Sequence, residues 1–169
     1  IVINSIKLIK EKFPDILYII IGEGPERKSL ENLVREQKID KHVLFTGYVD
    51  EKLLEAYYAI CDIFVMAGRW TPGFVEGFGL VYIEAGLRGI PVIGTRVGGI
   101  PEAIVENKTG FIVEPESPSC ITEKIFSLLE DEVARKKMGI NSAKYLKEKY
   151  NNDVMAENNS RVIKSLLKL

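Results

Sequence analysis

The sequence predicts an α/β fold, a parallel sheet with helices on both faces, and three observations predict it. Short apolar segments alternate with helical ones along the chain, the pattern of strands linked by helical crossovers. The first of these segments, Ile16 to Ile21, is continuously apolar, as a strand covered on both faces should be. Glycines gather where a strand hands over to a helix: Gly22 and Gly24, Gly73 to Gly79, and Gly98-Gly99. In open α/β sheets ligands bind at those carboxyl ends.

The elements follow in order. Val2, Ile6, Ile9 and Phe13 recur at helical spacing, so residues 2–13 are expected to be an amphipathic helix stopped by Pro14. After the strand at Ile16–Ile21, Leu30, Leu33 and Val34 mark a helix with Pro25 near its start. Val43–Phe45 and Asp62–Met66 are expected strands on either side of a short helix, Leu53–Tyr58. A Gly-rich connection, Met66–Gly79, leads to a helix over Leu80–Arg88 that Gly89 is placed to end. Pro91–Ile93 is a strand, Gly98-Gly99 a turn, Ile100–Val105 a short helix and Gly110–Val113 the last strand. Ser117 and Pro118 suit the N-cap and first position of a helix that aligns Ile121, Ile125, Leu128 and Leu129. Residues 131–169 are expected to be helical, with breaks near Gly139 and Asn151-Asn152.

Composition narrows the function. The 169 residues suit one domain, residues 1–169, with a sizeable core. A net charge of −1 gives no basic excess, so nucleic acid is not the expected partner. Cys61 and Cys120 are far apart, without metal-ligand spacing, and are expected to be reduced thiols of a cytoplasmic protein. The single histidine, His42, precedes a short apolar run and is expected to be a strand-edge residue rather than a catalytic base. No apolar run approaches the ~20 residues of a membrane span, and no signal peptide is expected. The chain opens on Ile1-Val2-Ile3, already in a helical pattern, which raises the expectation of a piece of something longer.

Three constellations could carry chemistry. Gly22-Glu23-Gly24-Pro25-Glu26-Arg27 follows a strand and opens a helix, where backbone N–H groups and the helix dipole favour an anion. Arg27 stands where the dinucleotide fingerprint has its third glycine, which disfavours NAD. A tight turn is the alternative. In Gly73-Phe74-Val75-Glu76-Gly77-Phe78-Gly79-Leu80-Val81-Tyr82-Ile83-Glu84, helical spacing puts Glu84 on a face with Leu80 and Leu87. A carboxylate buried there needs a partner. Two neighbouring ribose hydroxyls would serve, and so would a nearby Lys or Arg. Gly98-Gly99-Ile100-Pro101-Glu102 is a third Gly-rich turn that opens a helix. It either lines a phosphate pocket or simply connects two elements.

Glu76 and Glu84 stand in a Glu-Gly-Phe-Gly…Glu-Ala frame, followed by Gly-Ile-Pro-Val-Ile-Gly and Gly-Gly-Ile-Pro-Glu. From Val2 to about Tyr150 the chain resembles the retaining glycosyltransferases of group 1, or family 4, which have the GT-B fold. The resemblance implies a Rossmann-like C-terminal half that binds a nucleotide-sugar donor. It places Glu84 on the ribose hydroxyls and Glu76 beside the donor sugar as the catalytic carboxylate. Backbone amides of Gly77, Phe78, Gly79 and Leu80 would contact sugar and diphosphate. Gly22 and Gly24 would line the phosphate side, with the Gly47-Tyr48-Val49 segment, Val49 in particular, near the base. The stretch from Gly68 to Tyr82 resembles phosphatidylinositol mannosyltransferases, which implies GDP-mannose as donor, with a UDP-sugar the other choice. No cofactor and no metal are implied.

The chain also departs from that pattern. The Arg and Lys that family members carry after the domain's first strand, and the whole acceptor domain, are not in it. The missing domain of the same protein is the expected partner and the route to any contact with the inner membrane face, and this fragment alone is expected to transfer no sugar. A non-catalytic nucleotide-binding module and another GT-B-like enzyme, such as a sugar-nucleotide epimerase, are the alternatives. The strands found fit positions 2 to 6 of the doubly wound order 3-2-1-4-5-6. The first strand, central to the sheet, is therefore expected to be missing, unless Ile16–Ile21 and Asp62–Met66 pair directly.

Overall fold

The computed structural model describes residues 1–70, 73 and 77–167. The expected alternation is present, as α1 (Val2–Ile9), β1 (Tyr18–Ile21), α2 (Arg27–Glu36), β2 (Val43–Gly47), α3 (Glu51–Ala59), β3 (Phe64–Val65), α4 (Leu80–Leu87), β4 (Val92–Thr95), α5 (Ile100–Ala103), β5 (Gly110–Val113), α6 (Pro118–Glu130), α7 (Glu132–Lys149) and α8 (Asn152–Leu167). All strand pairs are parallel. The helix at the amino terminus ends earlier than its periodicity predicts, at Ile9. Turn bonds from Lys12 and Phe13 N–H to the Ile9 carbonyl close it, and Phe13 packs on the core from the turn.

The strands form two sheets, β1-β2 and β3-β4-β5. Tyr18 pairs with Val43, Phe64 with Val92 and Ile93 with Phe111. No ladder joins β1 to β3, so the direct pairing that would have removed the need for a central strand does not occur. Burial agrees. β4, flanked on both sides, is buried at every residue, whereas β1 and β3 have no buried residue. Phe64 donates its N–H to the Pro91 carbonyl, just ahead of β4, and Met66 donates to Ile93 of β4; by the alternation of a strand, Val65 directs its own N–H away from β4, to the open edge. Below it the Ile63 carbonyl accepts from the Cys61 thiol at 3.3 Å, and burial pushes that thiol up to about 11. Open edges leave backbone groups unpaired. A polypeptide that carries an apolar strand ahead of Ile1 is therefore expected to melt at a higher temperature than residues 1–169 alone, measured by circular dichroism; equal melting would show that the open edges cost nothing.

One core lies under α1 and α6, with Ile3, Ile6, Ile9, Val43, Ile93, Ile121, Ile125 and Leu128 buried together. It touches both sheets and is what joins them. A second core on the other face gathers Tyr58, Tyr82, Val92, Ile100, Ile104 and Leu146. Ser117 caps α6, its hydroxyl accepting from Cys120 N–H, with Pro118 at the first turn, as predicted. Gly139 does not break the C-terminal helix. α7 runs through it, because a residue without a side chain is what lets α7 lie on the backbone of Gly89. The break near Asn151 is present, between α7 and α8. His42 lies in a short turn ahead of β2, its Nδ1 3.0 Å from the Ile16 carbonyl. Among the described residues, no helix is long and apolar enough to cross a membrane.

Candidate functional site

Two of the three glycine loops meet. Gly79 adopts a left-handed conformation, φ +74°, at the N-cap of α4, and a side chain there would collide with the Tyr82 ring, 2.6 Å away. Gly99, the N-cap of α5, lies against the next loop. A Cβ on it would overlap the Gly77 carbonyl oxygen and sit 3.1 Å from Phe78 Cα. Gly77–Phe78–Gly79 and Gly98–Gly99 thus form one surface at the amino terminus of α4, where the Gly79 carbonyl already accepts from Tyr82 N–H at 3.0 Å. The ring of Phe78 packs edge-on against Tyr150, 5.7 Å between centroids, which braces the loop from below.

The connection after β3 is held by side chains that sequence reasoning missed. Tyr82, fully buried, donates its hydroxyl to the Met66 carbonyl at 2.6 Å, and Thr95 donates to the Gly68 carbonyl at 2.7 Å. The signal was present in part: a tyrosine and a threonine inside apolar segments must find acceptors once buried. Glu76 falls outside the described residues, so its expected place beside the sugar carries no geometry here.

Glu84 sits one turn into α4 and is half-buried. The face predicted for it is not the buried one. Leu80 is 66% exposed, and the helix buries Tyr82, Ile83, Ala85 and Gly86 instead. The reason is position: Leu80 follows Gly79 directly, at the rim of the helix, and the core lies under the next turn. Among the described residues no ion pair closes on the Glu84 carboxylate; its Oε2 accepts from the Tyr58 hydroxyl at 3.2 Å. Burial, and then the Glu84 charge, push the Tyr58 phenol up to about 12. Arg88, one turn on, stacks 4.6 Å over the Tyr58 ring, bonds Glu55, and donates to the Glu84 main-chain carbonyl at 2.7 Å.

The first glycine loop belongs to the other sheet. Gly22, φ +116°, donates its N–H to the Gly47 carbonyl at 2.9 Å, so this amide is already committed to the backbone. Gly24 is exposed with open space around it. Arg27 ties the loop down through Glu23 at 2.7 Å and Glu31 at 2.9 Å and stacks on Phe45. Glu23 in turn lies over Gly47, 2.6 Å from where a side chain would begin. Tyr48, exposed, and Val49, half-buried, follow β2. Among the described residues, no group of three or more His, Cys, Asp or Glu side chains is placed to hold a metal ion.

Residues 1–145 match the family model of glycosyl transferases group 1. The chain is 34% identical over 141 residues to a GDP-mannose-dependent α-(1-6)-phosphatidylinositol monomannoside mannosyltransferase of Mycolicibacterium smegmatis, covering 82% of this chain and 37% of that protein. It is 32% identical over 139 residues to the N-acetyl-α-D-glucosaminyl L-malate synthase of Bacillus anthracis, covering 82% of this chain and 35% of that one. The chain thus spans little more than a third of the length of these relatives. Among solved structures, the C-terminal domain of the glycosyl transferase group 1 family protein LpcC from Francisella tularensis superposes with a TM-score of 0.79 at 33% identity, covering 89% of this chain and 77% of that one. Anabaena Alr3699/HepE, solved in complex with UDP, shares the fold at a TM-score of 0.81 and 21% identity, covering 99% of this chain and 44% of that one. With most of its length matched by the family model, and with glycine loops and a helix-borne glutamate at the carboxyl ends of a parallel sheet, the chain belongs to the glycosyl transferases group 1, with the fold of a GT-B C-terminal domain.

Proposed function

We propose that this chain is the donor-binding half of a retaining glycosyltransferase, which moves a hexosyl group from a nucleotide diphosphate sugar to an acceptor hydroxyl. The observation that carries the reading is the junction of Gly77–Gly79 with Gly98–Gly99 at the amino terminus of α4, with Glu84 one turn inside the same helix. An anion at that junction meets main-chain amides and the positive end of the helix dipole. The backbone of Gly77, Phe78, Gly79 and Leu80 faces the sugar diphosphate, Gly22 and Gly24 border the phosphates, and Val49 borders the base. Glu84 accepts from the ribose hydroxyls through the oxygen that Tyr58 leaves open. Glu76 acts beside the sugar.

In the reaction the bond between the anomeric carbon and the diphosphate oxygen breaks and a bond to the acceptor oxygen forms. The hydroxyl proton leaves with the departing phosphate. Such catalysis rests on positioning and on stabilising the phosphate charge, and it requires no resident metal or cofactor. The greater length of these relatives supports an acceptor domain outside residues 1–169, and the GDP-mannose dependence of one of them supports GDP-mannose, or failing that a UDP-sugar, as donor; the setting of this reading is the cytoplasm.

A thermal-shift panel of UDP, GDP, ADP and their sugars on the full-length protein tests this. A nucleotide at a hundred times its Kd raises apparent stability by ~2.7 kcal/mol. One base is expected to stand out, and a panel with no shift would overturn donor binding. Residues 1–169 alone are expected to form no glycoside product from the donor so identified; product above a no-protein control would overturn the division of labour between domains.

A further inference from the structure

We propose that Tyr58 is a positioning residue that sets the affinity for the nucleotide ribose, by fixing the Glu84 carboxylate from a neighbouring helix. The inference rests on the reading of Glu84 as the ribose ligand and goes beyond it, because it concerns a residue that would touch no part of the donor.

A glutamate side chain has three rotatable torsions, and its freedom is lost when it binds. Glu84 is half-buried, and α4 alone does not fix where its carboxylate sits. Tyr58 supplies the missing constraint. It is 8% exposed, on α3, and its ring is held on two sides. Phe64 of β3 packs against it at 6.5 Å between centroids, and the Arg88 guanidinium covers it at 4.6 Å. Arg88 is itself fixed by Glu55, two bonds to one carboxylate, and by the main chain of Glu84. The ring's packing fixes where the phenol oxygen sits, and Glu84 Oε2 lies 3.2 Å from it.

That length lies just beyond the ~2.5–3.0 Å usual for an O–H···O pair, so the bond is a weak one. It makes a tether and leaves most of the acceptor strength of the carboxylate unspent. One oxygen is anchored and the other is free to accept from a vicinal diol. Of Glu84, Arg88, though near, bonds the main-chain carbonyl, and among the described residues no ion pair closes on the carboxylate. A phenol that stays protonated through the physiological range holds the arrangement over that range. Pre-organisation of this kind raises affinity by removing the ordering cost before the ligand arrives.

The test is a cycle in the full-length protein, with UDP and GDP and their 2′,3′-dideoxy forms titrated by calorimetry into wild type, Tyr58→Phe and Glu84→Gln. Tyr58→Phe keeps the ring, its stacking and its volume, and circular dichroism melting checks that the fold is kept. The expected result is a three- to tenfold weaker ribonucleotide for Tyr58→Phe, with the dideoxy form unchanged. Equal weakening of both forms would make Tyr58 a packing residue only, and no weakening of either would also overturn the proposal. Glu84→Gln separates the two levels. If Glu84→Gln abolishes the preference for ribose while Tyr58→Phe keeps it, only the role of Tyr58 fails. If Glu84→Gln keeps the preference, the ribose reading fails, and the proposal fails with it.

Discussion

Replacing Gly139 by alanine is expected to destabilise the domain by about 2 kcal/mol, although alanine is the better helix former. Gly139 lies in the middle of α7, where the substitution by itself would gain ~1 kcal/mol. The opposing effect is steric. The new Cβ would overlap the Gly89 carbonyl oxygen and stand 2.8 Å from its carbon, inside the 3.4 Å at which ordinary contact begins. Neither partner yields easily. Gly89 is left-handed, φ +77°, in the turn that delivers the chain from α4 to β4, and α7 is anchored by Met138, Ser142 and Leu146 in the core. Overpacking at such sites costs ~1–3 kcal/mol, occasionally more, and a backbone-on-backbone clash belongs at the upper end. Urea unfolding measures it. Gly24→Ala, with open space around it, is the control and should change stability by less than ~0.5 kcal/mol. A Gly139→Ala protein as stable as wild type would show that α7 and α4 are not seated as described.

Glu84→Gln is expected to weaken the nucleotide by ~1–3 kcal/mol, the scale of a hydrogen bond to a charged group. The amide oxygen of glutamine still accepts from Tyr58, so the melting temperature should hold. Only the charge, and with it the charge-assisted bond to the ligand, is removed. Calorimetry on the full-length protein with the best nucleotide of the panel decides the matter. Unchanged affinity would remove Glu84 from the site.

The alternation of elements was legible because each strand is a short apolar run closed by glycine or proline, and those signals are local. The edges of the elements were less so. β3 is expected over Asp62–Met66 and pairs only at Phe64 and Val65, since its other edge has no neighbour. Gly139 reads as a helix break in sequence because its reason to be glycine, the backbone of Gly89, is fifty residues away. The glycine loops were legible as turns between strand and helix, but the contact between Gly77 and Gly99 was not, since it depends on how α4 and α5 pack. For Glu84, spacing located the residue and misjudged its face. Its partner was hidden for the same reason: Tyr58 precedes it by 26 positions, on a different helix.

The split sheet has a consequence for how the first glycine loop behaves. A two-stranded sheet is marginal by itself, and α2 buries only Val34. The layer formed by β1, α2 and β2 is secured to the remainder chiefly by α1, whose Ile3, Ile6 and Ile9 pack with Ile121, Ile125 and Leu128 of α6. Such a layer opens as a cooperative unit, with a free energy below that of global unfolding, and it takes Gly22 and Gly24 with it. A donor that touches both Gly24 and Gly79 spans the two layers. On the proposed donor reading, its binding and the docking of α1 would be thermodynamically linked, each favouring the other by the same coupling free energy, so that nucleotide affinity would report on the seating of α1.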